Sequence, residues 1–217
     1  MRTVRFHFDF VSPYAYVAWT QIHRVVETRA AVVEPVPTLF AALLNAHGTK
    51  GPAEVPAKRV YVFKDASRKA HAAGLPALTP PPTHPFNPLV ALRLCTLPQP
   101  AEARRRLIDA LYAATWAGGG GVESLDNVRA LLERLGLDAA ALIAAAGAPA
   151  AKEALKANTE AAIAAGVFGV PTALVDGEIF WGVDALPHLG DFLDGRDPMA
   201  GAALERWAHI VPSATRR

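Results

Sequence analysis

TVRFHFDFVSPYAYV, residues 3–17, carries two periodicities that meet at Ser12. Up to residue 10 the run alternates. Val4, Phe6, Phe8 and Phe10 fall on one side and Arg5, His7 and Asp9 on the other, the period of two that a β-strand imposes. Ser12-Pro13 ends it: serine is a side-chain cap and proline suits the first helical position, so a helix is expected from Pro13. Val17, Ala18, Ile22, Val25 and Val26 keep helical spacing to about residue 29. β-branched residues then cluster at 31–36 before Pro37, which predicts a second strand and a β-α-β opening.

From residue 38 to about 165 strand signals nearly vanish. Gly48, Gly51-Pro52, Pro56, Gly74, Pro76, Pro80-Pro81-Pro82 and Pro85 punctuate the chain, and the segments between and after them read as helices. Asn87-Pro88 resembles a cap and first turn, and Pro100 opens a helix through Leu107, Leu111 and Trp116. Ser124 caps a helix that Gly136 ends, and Asp138 one that Gly147 ends. Residues 139–165 hold 15 alanines in 27, which is strong helix propensity. Thr172–Val175 and Glu178–Trp181 then flank Asp176-Gly177, a hairpin signal, and a last helix is expected over about 185–193, opening near Asp184. The expected class is α/β. A β-α-β / β-β-α domain, residues 1–37 plus 166–217, is interrupted by a helical insertion at 38–165.

Composition excludes several functions. Of 217 residues 52% are hydrophobic and 19% charged, enough apolar side chain for a core. Twenty-two Lys+Arg against 20 Asp+Glu give a net charge of +2, and the runs Arg104-Arg105-Arg106 and Arg216-Arg217 are too short for a nucleic-acid footprint. The single cysteine, Cys95, excludes a disulfide framework and any Cys-x-x-Cys redox pair, and on its apolar helix it reads as a core thiol. Seven histidines without His-x-x-x-His spacing give no support to a metal site. Gly118–Gly121 lacks the Gly-Lys-Ser/Thr of a phosphate loop, and beside it Trp116 reads as a core tryptophan. Without an 18-residue apolar run, and with charge at Arg2, Arg5 and Asp9, the expectation is a soluble cytoplasmic protein that meets no membrane.

Two places could carry chemistry. Ser12 is on local grounds an ordinary cap, yet helix amides and a hydroxyl also favour an anion beside it. Such a helix end could lower the pKa of an external thiol by about one unit. The second is GVFGVPT, residues 166–172, leading into the hairpin. Pro171 reads as a strand-entry residue, or, with a cis bond, as a device exposing the Val170 backbone to a peptide-like ligand.

FDFVSPYAY at 8–16, GPAEVPAKRVY at 51–61, HPFNPLVALR at 84–93, GVFGVPT at 166–172 and FWGVDAL at 180–186 jointly resemble the DsbA-like thioredoxin fold. More closely, the chain resembles the 2-hydroxychromene-2-carboxylate isomerases, relatives of the kappa-class glutathione transferases. The resemblance implies glutathione as cofactor. Ser12 would hydrogen-bond its sulfur, Val170 before Pro171 would pair with its cysteinyl backbone, Asp184 would receive the γ-glutamyl amine, and Lys58 would approach the glycyl carboxylate. Two positions depart from the family. Thr49 stands where the family has Asn, and Ala185 where Arg commonly follows the aspartate, which removes a partner for the γ-glutamyl carboxylate. The implied reaction interconverts 2-hydroxychromene-2-carboxylate and trans-o-hydroxybenzylidenepyruvate type aromatic acids, in aromatic hydrocarbon breakdown. The alternatives are a kappa-like transferase or peroxidase acting on hydrophobic electrophiles, and a non-catalytic glutathione-binding protein. A homodimer stays open.

Overall fold

The computed structural model describes residues 1–199, 210, 211 and 213; Arg216-Arg217 and most of the stretch after residue 199 lie outside them. The alternating run forms strand β1 (Arg2–Phe8), and Ser12 caps helix α1 (Pro13–Glu27). α1 buries Ala15, Val17, Ala18, Trp19 and Ile22, a stripe of helical period, against the phenyl rings of β1. Trp19 lies 5.7 Å from the Phe6 ring and 6.1 Å from that of Phe8. Strand β2 (Ala31–Pro37) returns parallel to β1, from Arg2 opposite Ala31 to Phe8 opposite Pro37.

Strands β3 (Thr172–Val175) and β4 (Glu178–Trp181) form the expected hairpin. Its turn needs positive φ at both central residues, and Asp176 and Gly177 supply 52° and 86°. β3 pairs antiparallel with β1, giving a four-stranded sheet in the order β2-β1-β3-β4 with β1 inside.

Eight further helices complete the described residues: α2 (Phe40–Ala46), α3 (Pro56–Ala72), α4 (Leu89–Leu94), α5 (Ala101–Trp116), α6 (Leu125–Arg134), α7 (Ala139–Gly147), α8 (Pro149–Ala164) and α9 (Leu186–Leu193). Ser124 and Asp138 cap α6 and α7 as their positions predict, accepting from Asn127 and Ala141 N–H. α9 packs on α1, while α2 and α8 cover the other face of the sheet around Leu43, Ala162, Val167 and Val170. The main core joins the sheet to α5. Tyr112 lies 4.8 Å from the Phe10 ring, and the Trp116 indole N–H donates to the Phe10 carbonyl at 2.9 Å. No helix among the described residues is long and apolar enough to cross a membrane.

The polar side of β1 is not a solvent side at its C-terminal end. Arg5 is exposed, but His7 and Asp9 are 4% and 1% exposed, because α2 and the β2–α2 connection close over them. Alternation identified the strand; the second covering layer comes from residues far along the chain.

Candidate active site

Ser12 lies four positions beyond β1 and is buried to 7% exposure. Its Oγ accepts the Ala15 N–H at 3.2 Å, which occupies a lone pair and leaves the hydroxyl proton free to donate. Pro13 has no N–H, and the Tyr14 N–H meets no acceptor among the described residues. A hydroxyl donor, an open amide and the positive end of a 15-residue helix occur together, a combination that favours an anion.

Asp9 holds this end from the strand side. Its Oδ1 accepts from Val11 N–H at 3.0 Å, its Oδ2 from Phe40 N–H at 2.9 Å, and its carbonyl from Ser12 N–H at 3.2 Å. Burial pushes its carboxyl up to about 6, against the opposing pull of the backbone N–H groups. His84 braces the same loop, with Nε2 2.8 Å from the Val11 carbonyl. A carbonyl only accepts, so Nε2 carries the proton and the buried, unpartnered Nδ1 is bare. Burial lowers the His84 pKa, in keeping with that neutral ring.

Val170-Pro171 is cis, as is His84-Pro85, which local sequence did not announce. Thr172 pairs with His7, so continuing the register by one residue sets Pro171 beside Phe8, at the end of β1 that leads to Ser12. The Pro171 carbonyl accepts from Gly182 N–H at 2.9 Å, and Gly182, at φ 88°, turns the chain into the 3-10 turn Val183–Ala185 that packs on α1. Ser12, Val170, Pro171 and Asp184 are therefore brought to one end of the sheet.

Thr49 and Lys58 lie on the flanks of α2 and α3, and no hydrogen bond or ion pair among the described residues links either to Ser12, Pro171 or Asp184. Thr49 is exposed after α2, its N–H on the Leu44 carbonyl at 2.9 Å. Lys58 is exposed in the first turn of α3 and makes no ion pair among the described residues.

Sequence reasoning missed a network that ties α3 to this end. The Tyr14 hydroxyl donates to Asp65 Oδ2 at 3.0 Å. Lys69 Nζ lies 3.8 Å from that oxygen and donates to both Asp184 oxygens, at 2.6 and 2.8 Å. The Lys69 side chain is 23% exposed and that of Asp184 82%, so the lysine is held while the carboxylate keeps open lone pairs. The hydrogen bond to Asp184 raises the Lys69 pKa, and burial followed by the Asp65 bond raises that of Tyr14. Asp65 and Lys69 stand one helical turn apart, but their partners are 51 and 115 residues away, beyond any local signal.

No cluster of three or more metal-ligating side chains occurs among the described residues. Residues 3–194 match the family model of the DSBA-like thioredoxin domain. The chain is 33% identical over 195 residues to the 2-hydroxychromene-2-carboxylate isomerase of Sphingobium xenophagum, covering 88% of this chain and 98% of that one. It is 26% identical over 223 residues to the human glutathione S-transferase kappa 1, covering 98% and 96%. A solved 2-hydroxychromene-2-carboxylate isomerase structure superposes with a TM-score of 0.79 at 27% identity, over 92% of this chain and 98% of that one.

Proposed function

The chain belongs to the DSBA-like thioredoxin family and, within it, to the 2-hydroxychromene-2-carboxylate isomerase family, and from that premise we propose that it is a glutathione-dependent isomerase of aromatic pyruvate-type acids. The observation that carries the reading is Ser12. A hydroxyl with a free proton caps α1 beside the Pro171 loop, where no cysteine stands, which supports a thiol supplied from solution. Cys95 cannot serve, because it is 1% exposed and burial pushes its thiol pKa up.

The residues present fit glutathione. Ser12 and the Tyr14 amide suit its sulfur as an anion, the Val170 backbone precedes Pro171, Asp184 offers open lone pairs to an ammonium, and Lys58 is a cation without an ion pair among the described residues, suited to a carboxylate. When bound, glutathione supplies a thiolate whose reversible addition turns a conjugated double bond into a rotatable single one. Ser12 keeps the sulfur anionic at neutral pH by donating to it, and the dipole of α1 adds to that stabilisation. Asp9 and His84 hold the Val11 segment, so the Ser12 hydroxyl needs little reorganisation to donate.

Supplying the chromene acid with glutathione at a small fraction of its concentration tests the reading. An isomerase converts all of it and returns the tripeptide, whereas conversion that stops when the thiol is spent marks a transferase. The transferase reading keeps support from the kappa-class relative matched over 98% of this chain. Absence of any thermal stabilisation by millimolar glutathione would remove both.

A further inference from the structure

Lys58, Asp65 and Lys69 are seven and four residues apart, spacings that return to one face of α3 after two turns and one more. Tyr61 lies near the same line and is 60% exposed. This face meets the start of α1 through Tyr14 and the Gly182–Ala185 turn through Asp184. The two lysines are about 16 Å apart along the axis, while an extended tripeptide spans on the order of 10 Å, so two long side chains can close on its two ends. They differ in how they are held. Lys58 makes no ion pair among the described residues, and Lys69 is anchored between Asp65 and Asp184.

The charge count at the anchored end is informative. Asp65 and Asp184 against one Lys69 leave the group one negative charge in excess, with the Tyr14 hydroxyl donating to Asp65. The open side of Asp184 then suits an ammonium, and a cation beside it suits a carboxylate, which together are the two charges of an amino-acid end. Ala185, the next residue, has no charge to offer. We propose that Lys69 is the residue that recognises the α-carboxylate of the γ-glutamyl end of the thiol, beside Asp184 on its ammonium. The inference rests on the functional reading above and names a specificity-determining residue in it. Lys69 reaches this end of the ligand from α3, in place of a guanidinium from position 185. The site therefore selects thiols with a free α-amino acid end over simple thiols.

The experiment is a double comparison by calorimetry on the whole chain, with glutathione and with γ-aminobutyryl-cysteinylglycine, which lacks only that carboxylate. Wild type should bind the analogue about three- to tenfold more weakly than glutathione. Lys69→Ala should weaken glutathione binding by a similar factor, leave the analogue unaffected, and be rescued by Lys69→Arg. Equal or tighter glutathione binding by Lys69→Ala would show that the lysine competes with the ligand ammonium for Asp184, and overturns the proposal alone. Equal loss of both ligands overturns it too, as does equal binding of both by wild type, which needs no variant to fold. Failure of wild type to bind glutathione at all overturns the functional reading and this inference together.

Discussion

Ser12 caps α1, and in the proposed function it also donates to the thiolate; substitution can separate the two. As a cap it contributes on the order of 1 kcal/mol to α1, and as a donor to a charged sulfur about 1.5–3 kcal/mol. Ser12→Ala should therefore raise the apparent pKa of bound glutathione and lower turnover at neutral pH by about one to two orders of magnitude, with only a small fall in melting temperature. The loss is partial because the helix end and the Tyr14 amide remain. A pH–rate profile that does not move would reduce Ser12 to its cap. Ala185→Arg tests the other end. In the wild type Lys69 already stands at Asp184, so the added guanidinium, on a half-buried turn beside an exposed carboxylate, should tighten glutathione binding no more than about fivefold. In a Lys69→Ala background the same substitution should gain more, which titration of the two pairs of proteins measures.

β1 shows what an element discloses by its own residues and what it hides. Its alternation, the cap at Ser12 and the Asp176-Gly177 turn are local patterns, and all three are legible before folding. The burial of His7 and Asp9, the His84 brace and the Lys69–Asp184 pair depend on chain that arrives from 31 to 115 residues away, so no window of sequence contains them. That hidden half governs the response to acid. Thr38 Oγ1 gives its proton to the Val36 carbonyl and so accepts from His7 Nδ1, leaving Nε2 bare and the ring neutral. Burial, and then Arg5, lower His7 from 6.5 to about 4, so below pH 6.5 the unfolded chain takes a proton that the folded one refuses. Burial first, then Arg105, likewise lowers His23 to about 4. Asp9 opposes them. Its carboxyl is raised from 3.8 to about 6, so between those values the folded chain holds the extra proton and gains stability as pH falls. Two lowered imidazoles, with His84 shifted the same way, outweigh one raised carboxyl, and unfolding free energy should drop as pH goes from about 6.5 to 4. Asp9→Asn should steepen that drop, measured as urea midpoints at about pH 7, 5.5 and 4.5. A shallower slope in the variant contradicts the assignment.

Residues 1–37 plus 166–217 and residues 38–165 divide the sequence into a proposed domain and its insertion, yet the aromatic core runs across the division. Phe8 and Phe10 pack at a tilt against Tyr112, and the Trp19 indole donates to Asp109 on α5 at 2.6 Å. Neither stretch covers its own rings. Unfolding by urea should accordingly be one transition, with tryptophan fluorescence and far-ultraviolet circular dichroism coinciding, whereas two steps would show two separate cores. Within that shared interior lies Cys95, 1% exposed and the only sulfhydryl the chain possesses. Alkylating reagents should leave the native protein unlabelled and react only once it is denatured. An oxidant burst that converts accessible thiolates elsewhere to sulfenic acid or mixed disulfides finds no cysteine to damage here. Under the glutathione-dependent function proposed above, vulnerability passes instead to the diffusible thiol in solution, and turnover should stop while that pool is oxidised and resume once it is reduced, without repair of the protein's own cysteine.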